Sequence, residues 1–283
     1  MISPSRIFHY TSIKSLELIL STRKIRFSRL DHVDDLREAQ SHCGIEFGKY
    51  FFVSCWTQDK PESIPQWDRY GEDMRGVRIE LPLYPFRRIH IQSGQHWSGV
   101  KINGDMLAPL SLQECLGPTY FVAPYFFDDF FAGPVDYVPD VGARYAAAVR
   151  QTTFDDGQVG VSINESAKLP RLKSVDWEFQ SEYRFHLQIL PAPSLPEPSD
   201  DPQTLSRERA VQMCQAFKSG VDPGINYIDV PLDPVALDDL TVRIGPLCTE
   251  DGRARVEAIV SAFAPKARIE PSALTGLVRG RLG

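Results

Sequence analysis

The stretch Trp177-Glu-Phe-Gln-Ser-Glu182-Tyr183-Arg184-Phe-His186-Leu-Gln-Ile-Leu190 constrains the fold more than any other part of this chain. From Glu182 onward apolar and polar residues alternate with the two-residue period of a β-strand that has one face in a core. Such a strand turns Tyr183, Phe185 and Leu187 inward and Glu182, Arg184 and His186 outward. A carboxylate and a guanidinium are therefore expected to share a face directed away from the core, where an exposed Glu–Arg pair is the plain reading. A second cluster, Phe8-His9-Tyr10-Thr11-Ser12, ends an apolar strand near the N-terminus and raises the question of a site.

The remaining periodicities predict an α+β chain. Arg6–Thr11 reads as a strand, and Ser12 as the cap of a helix with Ile13, Leu16, Ile19 and Leu20 on its apolar face. Ile25–Ser28 and the apolar, aromatic Tyr50–Trp56 read as strands, the latter central in the sheet. Between them the charged segment Asp31–Phe47 is expected to include a helix. Pro65–Tyr70 reads as a short helical turn opened by proline, and Gly76–Leu81, Arg87–Gln92 and Val135–Val138 as strands. Helices are expected over Gly142–Arg150, Leu205–Phe217 and Thr249–Phe263, and strands over Ile225–Leu232, Leu240–Ile244 and Ala267–Glu270. No glycine-rich phosphate loop follows any strand, so a mixed, mainly antiparallel sheet with flanking helices fits better than a doubly wound parallel one.

One elaborated domain spanning 1–283 is expected from length and the even spread of apolar residues. Within it lie an irregular aromatic-rich insertion over 93–170 and an exposed Pro-rich loop over 191–204. The rings crowded into Tyr120–Phe131 predict that the insertion packs on the core. With 31 basic against 37 acidic residues, net −6, the chain offers no global basic surface for nucleic acid. No apolar run approaches the length of a bilayer span, and the opening residues lack the apolar segment of a secretory signal. Cys43, Cys55, Cys115, Cys214 and Cys248 form no Cys-x-x-Cys pair, so a cytoplasmic protein with reduced thiols, no membrane association and no bound metal is expected.

The motifs HYTS at 9–12, KIRFSRLDHVDD at 24–35, FFVSCWTQ at 51–58, QWDRYGEDMRGVRIEL at 66–81, LKSVDWEFQSEYRF at 172–185 and VRIGP at 242–246 carry a resemblance. In order and rough spacing the chain resembles the bacterial domain-of-unknown-function family numbered 2971. The resemblance covers most of the chain and is weakest over 93–170 and 191–204. That architecture is in turn distantly similar to the ADP-ribosyltransferase fold, a split sheet in which a histidine, an aromatic residue and a late glutamate converge on NAD. The similarity implies His9, then Tyr70 or Trp67, then Glu182 in those roles, with Tyr10, Thr11, Ser54 and Arg184 as further NAD-binding candidates.

The implied reaction is transfer of ADP-ribose from NAD to a macromolecule, nucleic acid or protein, with NAD hydrolysis alongside. A toxin or phage-defence effector with an antitoxin or other partner protein is the setting such folds suggest. Cleavage of the nicotinamide–ribose bond develops positive charge on the ribose, which a fixed carboxylate at Glu182 would stabilise. His9 and Thr11 would hold ribose hydroxyls, Trp67 and Tyr70 would present rings, and Arg184 would meet a pyrophosphate or orient Glu182. The family pattern has a second glutamate two positions before Glu182, where this chain has Gln180. That departure favours the alternative, a catalytically silent module that senses a nucleotide or a partner. A third reading places Mg²⁺ on Asp31, Asp34, Asp35 and Glu38 for nuclease chemistry, against a solvated helix start as the plain explanation. Cys55 and Trp177 read as packing.

Overall fold

In the computed structural model, which describes residues 6–97, 100–123, 130–153, 159–192 and 215–280, the alternating segments assemble into a large mixed sheet with flanking helices. β1 (Arg6–Thr11) runs into Ser12, whose hydroxyl accepts the Ser15 N–H and caps α1 (Ile13–Thr22). Ile13, Leu16, Ile19 and Leu20 of that helix are buried, as their spacing predicts. β2 (Lys24–Arg29), β3 (Phe51–Thr57), α2 (Ile64–Tyr70) and β4 (Val77–Pro82) follow. The sheet is completed by β5 (Tyr120–Val122), β6 (Ala132–Pro134), β7 (Glu182–Pro191), β8 (Tyr227–Pro231), β9 (Thr241–Ile244) and β10 (Arg268–Pro271). Helices α3 (Val141–Ala148), α4 (Pro234–Asp238) and α5 (Glu250–Phe263) lie between them.

Neighbours run β5–β7–β3–β1–β4–β9–β10, with β6 also paired to β7 and the β8–β2 pair joined to β3. Among the described residues every pair in this sheet is antiparallel except β9 with β10. The register of β3 decides where a hollow can form. On one edge β3 pairs with β7 along its whole length, from Glu182↔Thr57 to Gln188↔Phe51. On the other it meets β2 at Ser28↔Val53 and Arg29↔Phe52, and β1 only at Phe8↔Thr57. The sheet therefore forks at Ser54–Trp56, where β3 changes partner.

Ladder alternation shows what faces this fork. The Val135 N–H bonds to the Glu182 carbonyl at 2.9 Å and the His186 N–H to the Phe131 carbonyl at 2.9 Å, so these residues of β7 point their peptide groups away from β3. Tyr183, Phe185 and Leu187 then bond toward Trp56, Ser54 and Phe52, leaving the peptide groups of Cys55 directed into the fork.

Two core clusters sandwich the β7–β3 pair. One contains Trp56, Phe121, Phe131, Tyr183, Phe185 and Leu187, so Phe121 and Phe131 of the 120–131 aromatics pack as expected, whereas Phe130 is 47% exposed. The second contains Leu30, Phe47, Phe51, Val53, Tyr145 and Leu172. That second cluster corrects the expectation for Glu182, Arg184 and His186, since their face of β7 is buried, with Arg184 at 0% exposure. The reason lies in α3 and the strand Leu172–Ser174, which cover that face and whose short elements carry little periodicity. Asp31–Phe47 is likewise not an α-helix. It forms a 3-10 turn at Leu30–His32 and a hairpin of Ser41–His42 with Ile45–Glu46. Arg87–Gln92 shortens to Ile89–Ile91, paired with Met106–Ala108 outside the main sheet. The helix expected over Leu205–Phe217 lies up to residue 214 outside the described residues, as does the Pro-rich stretch beyond Ala192. No described helix is long and apolar enough to cross a membrane.

Candidate functional site

The fork opens into a pocket of about 270 Å³. Its floor is Val53, Ser54, Cys55 and Trp56 of β3, and its banks are Phe8, His9 and Tyr10 of β1 with Arg26 and Ser28 of β2. Gln66 and Tyr70 of α2 and the segment His32–Asp34 form the rim, and Lys173, Gln180 and Glu182 close the remaining side. Glu182 and His9, far apart in sequence, thus share one hollow.

His9 is held where the β1–β3 ladder gives out. Its Nδ1 lies 2.8 Å from the Cys55 carbonyl, which can only accept, so Nδ1 carries the proton and Nε2 keeps a lone pair. Burial lowers its pKa against the opposing effect of that bond, keeping the ring neutral. The imidazole packs against Trp56 at 5.0 Å between ring centroids, and Trp56 Nε1 donates to Ser54 Oγ at 3.0 Å.

Glu182 sits in a closed ring of four buried charges. Its Oε1 accepts from Arg184 Nε at 2.6 Å and its Oε2 from Lys173 Nζ at 3.0 Å. Glu38 completes the ring, with Oε2 accepting from Arg184 Nη1 at 2.5 Å and Oε1 lying 2.9 Å from Lys173 Nζ, out of line for a hydrogen bond. Arg184 Nη1 also donates to the Pro170 carbonyl at 2.7 Å. Two carboxylates alternate with two cations, so each charge, withdrawn from water, has opposite charges on both sides. Burial alone would raise the Glu182 carboxyl, but the charges of Arg184 and Lys173 overcome it and hold the pKa down at about 2. Glu182 is therefore ionised at neutral pH. The Cys55 thiol beside it is pushed up, by burial first and then by Glu182, and stays protonated. Cys55 lines the pocket rather than only packing.

The rim is tied together by Tyr70, whose hydroxyl donates to Asp34 Oδ2 at 2.9 Å and accepts from Gln180 Nε2 at 2.5 Å. Gln66 Nε2 in turn donates to the Gln180 carbonyl at 2.8 Å. Gln180 ends the 3-10 helix Val175–Gln180, and Ser181 follows in the left-handed region at φ 42°. This tight reversal lets residues on either side of Ser181 line the same hollow.

Of the sequence candidates, the structure brings together His9, Tyr10, Ser54, Tyr70 and Glu182. It does not place Trp67, Thr11 or Arg184 on the pocket wall. Trp67 is 0% exposed, meets Tyr10 edge-on at 4.9 Å and donates its indole N–H to Glu62 at 2.8 Å, which makes it a core residue. Thr11 is buried at the end of β1, and Arg184 lies behind Glu182. Trp177 is half-buried, with the Arg69 guanidinium 4.7 Å and the Lys173 ammonium 5.2 Å from its ring centre. The acidic run at 31–38 separates among different partners, Asp31 with Arg29, Asp34 with Arg69, Asp35 with Arg37, and Glu38 with the ring. Among the described residues no group of three or more such side chains could hold a metal ion. Sequence reading missed Lys173 and Glu38 as neighbours of Glu182. A buried lysine, three residues before the exposed Asp176, leaves no local signature.

Two histidines held neutral inside the fold make stability depend on pH. The His186 pKa is pushed down to about 3 by burial and by the charges of Arg171 and Arg184. The folded state thus binds fewer protons than the unfolded one below the ordinary value of about 6.5, and stability present above that value is lost as pH falls toward 3. His186 alone is expected to remove about 2 kcal/mol between pH 7 and pH 5, and His9 adds with the same sign. Glu182 acts later, its stabilisation fading from about pH 4.5 toward 2. Urea unfolding at both pH values checks this: His186→Gln should lose about 2 kcal/mol less than wild type on acidification. Equal losses would contradict it.

Compared with protein-family models, curated proteins and solved structures, the chain matches none of them.

Proposed function

We propose that the pocket in the sheet fork takes the nicotinamide–ribose end of NAD, and that the chain transfers ADP-ribose from NAD to a macromolecular acceptor. The observation that carries this reading is that His9, Tyr70 and Glu182, the triplet implied by the resemblance to the ADP-ribosyltransferase fold, line one hollow. The volume, about 270 Å³, lies just below the range for small-molecule sites of about 300–1,000 Å³, so it suits one end of a dinucleotide. The Cys55 N–H, directed into the fork while its carbonyl is taken by His9, suits the oxygen of a planar carboxamide.

In this reading the bond between ribose C1′ and the nicotinamide nitrogen breaks, and the electron pair leaves with neutral nicotinamide. Positive charge on the ribose faces the ionised Glu182 carboxylate. A nucleophile on the acceptor, or water, then bonds to C1′ and loses its proton to solvent. With its pKa held at about 2, Glu182 serves as an electrostatic partner and hydroxyl acceptor, not as the base. His9 Nε2, left as an acceptor by the tautomer, suits a ribose hydroxyl.

A second reading, binding without turnover, draws on two observations. The Glu182 charge is largely compensated within its ring, and Gln180 stands on the wall with its amide committed to Tyr70. Incubation of the purified chain with labelled NAD and cell extract separates the two. Nicotinamide release and label transfer, both lost in Glu182→Gln, support the enzyme. Binding without release in either protein selects the sensor, and no binding at all removes both.

A further inference from the structure

The ring beneath the pocket has a feature that its pocket-lining members do not explain. Lys173 and Glu182 line the pocket, whereas Glu38 does not. Glu38 is 0% exposed, belongs to the loop before the Ser41–His42 hairpin, and touches Glu182 only through Lys173 and Arg184. Two cations around Glu182 alone would give the floor a net charge of +1. Glu38 brings the sum to zero, so that the carboxylate at the surface of the hollow is not overcompensated. The other charges on the wall are matched locally, Arg26 by Asp229 at 2.9 Å and Asp34 by Arg69 at 3.0 Å. Whether the floor is neutral or net positive therefore turns on Glu38.

We propose that Glu38 is a specificity-determining residue acting through Lys173 and Arg184: it cancels the net positive charge that the pocket floor would otherwise carry and so shifts the site's preference toward a cationic ring, such as oxidised nicotinamide, over its uncharged reduced form. The inference rests on the NAD reading above and adds the choice between the two redox forms of the nucleotide. Glu38 is a positioning residue that meets no ligand atom. Removing its charge with the shape kept, in Glu38→Gln, leaves the floor at +1, whereas Lys173→Gln leaves it at −1. A purely structural role would weaken both forms of the nucleotide alike. A charge-setting role moves their ratio in opposite directions in the two variants.

The experiment is calorimetric titration of the full chain with NAD and with NADH, in wild type, Glu38→Gln and Lys173→Gln, with circular dichroism to establish that each variant is folded. Wild type, with its floor balanced, is expected to bind the oxidised form no more weakly than the reduced form. Glu38→Gln should lower the ratio of oxidised to reduced affinity about tenfold, the order expected for one charge several ångströms away in a partly screened medium, and Lys173→Gln should raise it. A wild type that favours the reduced form, no change of ratio, or shifts of the same sign would overturn the inference. If Glu38→Gln does not fold, the wild-type ratio and the Lys173→Gln shift still decide. A wild type that binds neither form removes the NAD reading and this inference with it, whereas a ratio that neither substitution moves removes the inference alone.

Discussion

Arg184→Met is expected to lower the free energy of unfolding by about 3–5 kcal/mol, the range for removing one partner of a buried ion pair. Arg184 is fully buried and serves both carboxylates of the ring as well as the Pro170 carbonyl. Methionine fills similar volume but supplies no donor, so Lys173 alone would face two carboxylates, of which Glu38 is 0% exposed and off the pocket wall. A domain stable by about 5–15 kcal/mol loses a large share of its margin to such a change. Replacing Glu38, Lys173, Glu182 and Arg184 together by apolar residues should cost much less than the single substitution, because no orphaned charge remains. Urea unfolding monitored by tryptophan fluorescence reads both variants. A loss below about 1 kcal/mol for Arg184→Met would show that water reaches the ring and that the charges are not coupled as described.

If the chain carries the proposed NAD chemistry, Glu182→Gln is expected to reduce nicotinamide release by about a hundredfold or more while changing NAD affinity far less, because the carboxylate would matter most when the ribose becomes positive. The amide keeps the shape and can still accept from Arg184 or Lys173, but not with the charge that holds both. Part of the ring's stability is therefore lost with the activity. Single-turnover release normalised to the folded fraction, determined by unfolding under the same conditions, separates these effects. Release within about twofold of wild type would exclude Glu182 from the reaction and leave the ring a structural device.

What was legible in the sequence was what short-range periodicity records. β1 with its Ser12 cap, the buried face of α1, β3 and α5 all follow from patterns a few residues long. The burial of the second face of β7 was not, because its cover comes from α3 and Leu172–Ser174, elements of eight and three residues in a region without sustained alternation. Trp67 and Tyr70, three apart on one helical turn, were expected to present neighbouring rings. The turn instead directs Trp67 against Tyr10 and leaves Tyr70 to meet Asp34. Glu38 and Arg184 stand 146 positions apart, and nothing local distinguishes a carboxylate that meets such a partner from one that meets solvent. Pairing order across β3, which creates the hollow, is likewise a long-range property.

A cavity made by one strand exchanging neighbours owes its floor to main-chain geometry rather than to a hinged flap. Side chains around its mouth can therefore be exchanged with modest effect on its depth, and the guest's loss of freedom need not be compounded by ordering of the bottom wall. Selection on this scaffold is then free to retune what enters without rebuilding the vessel.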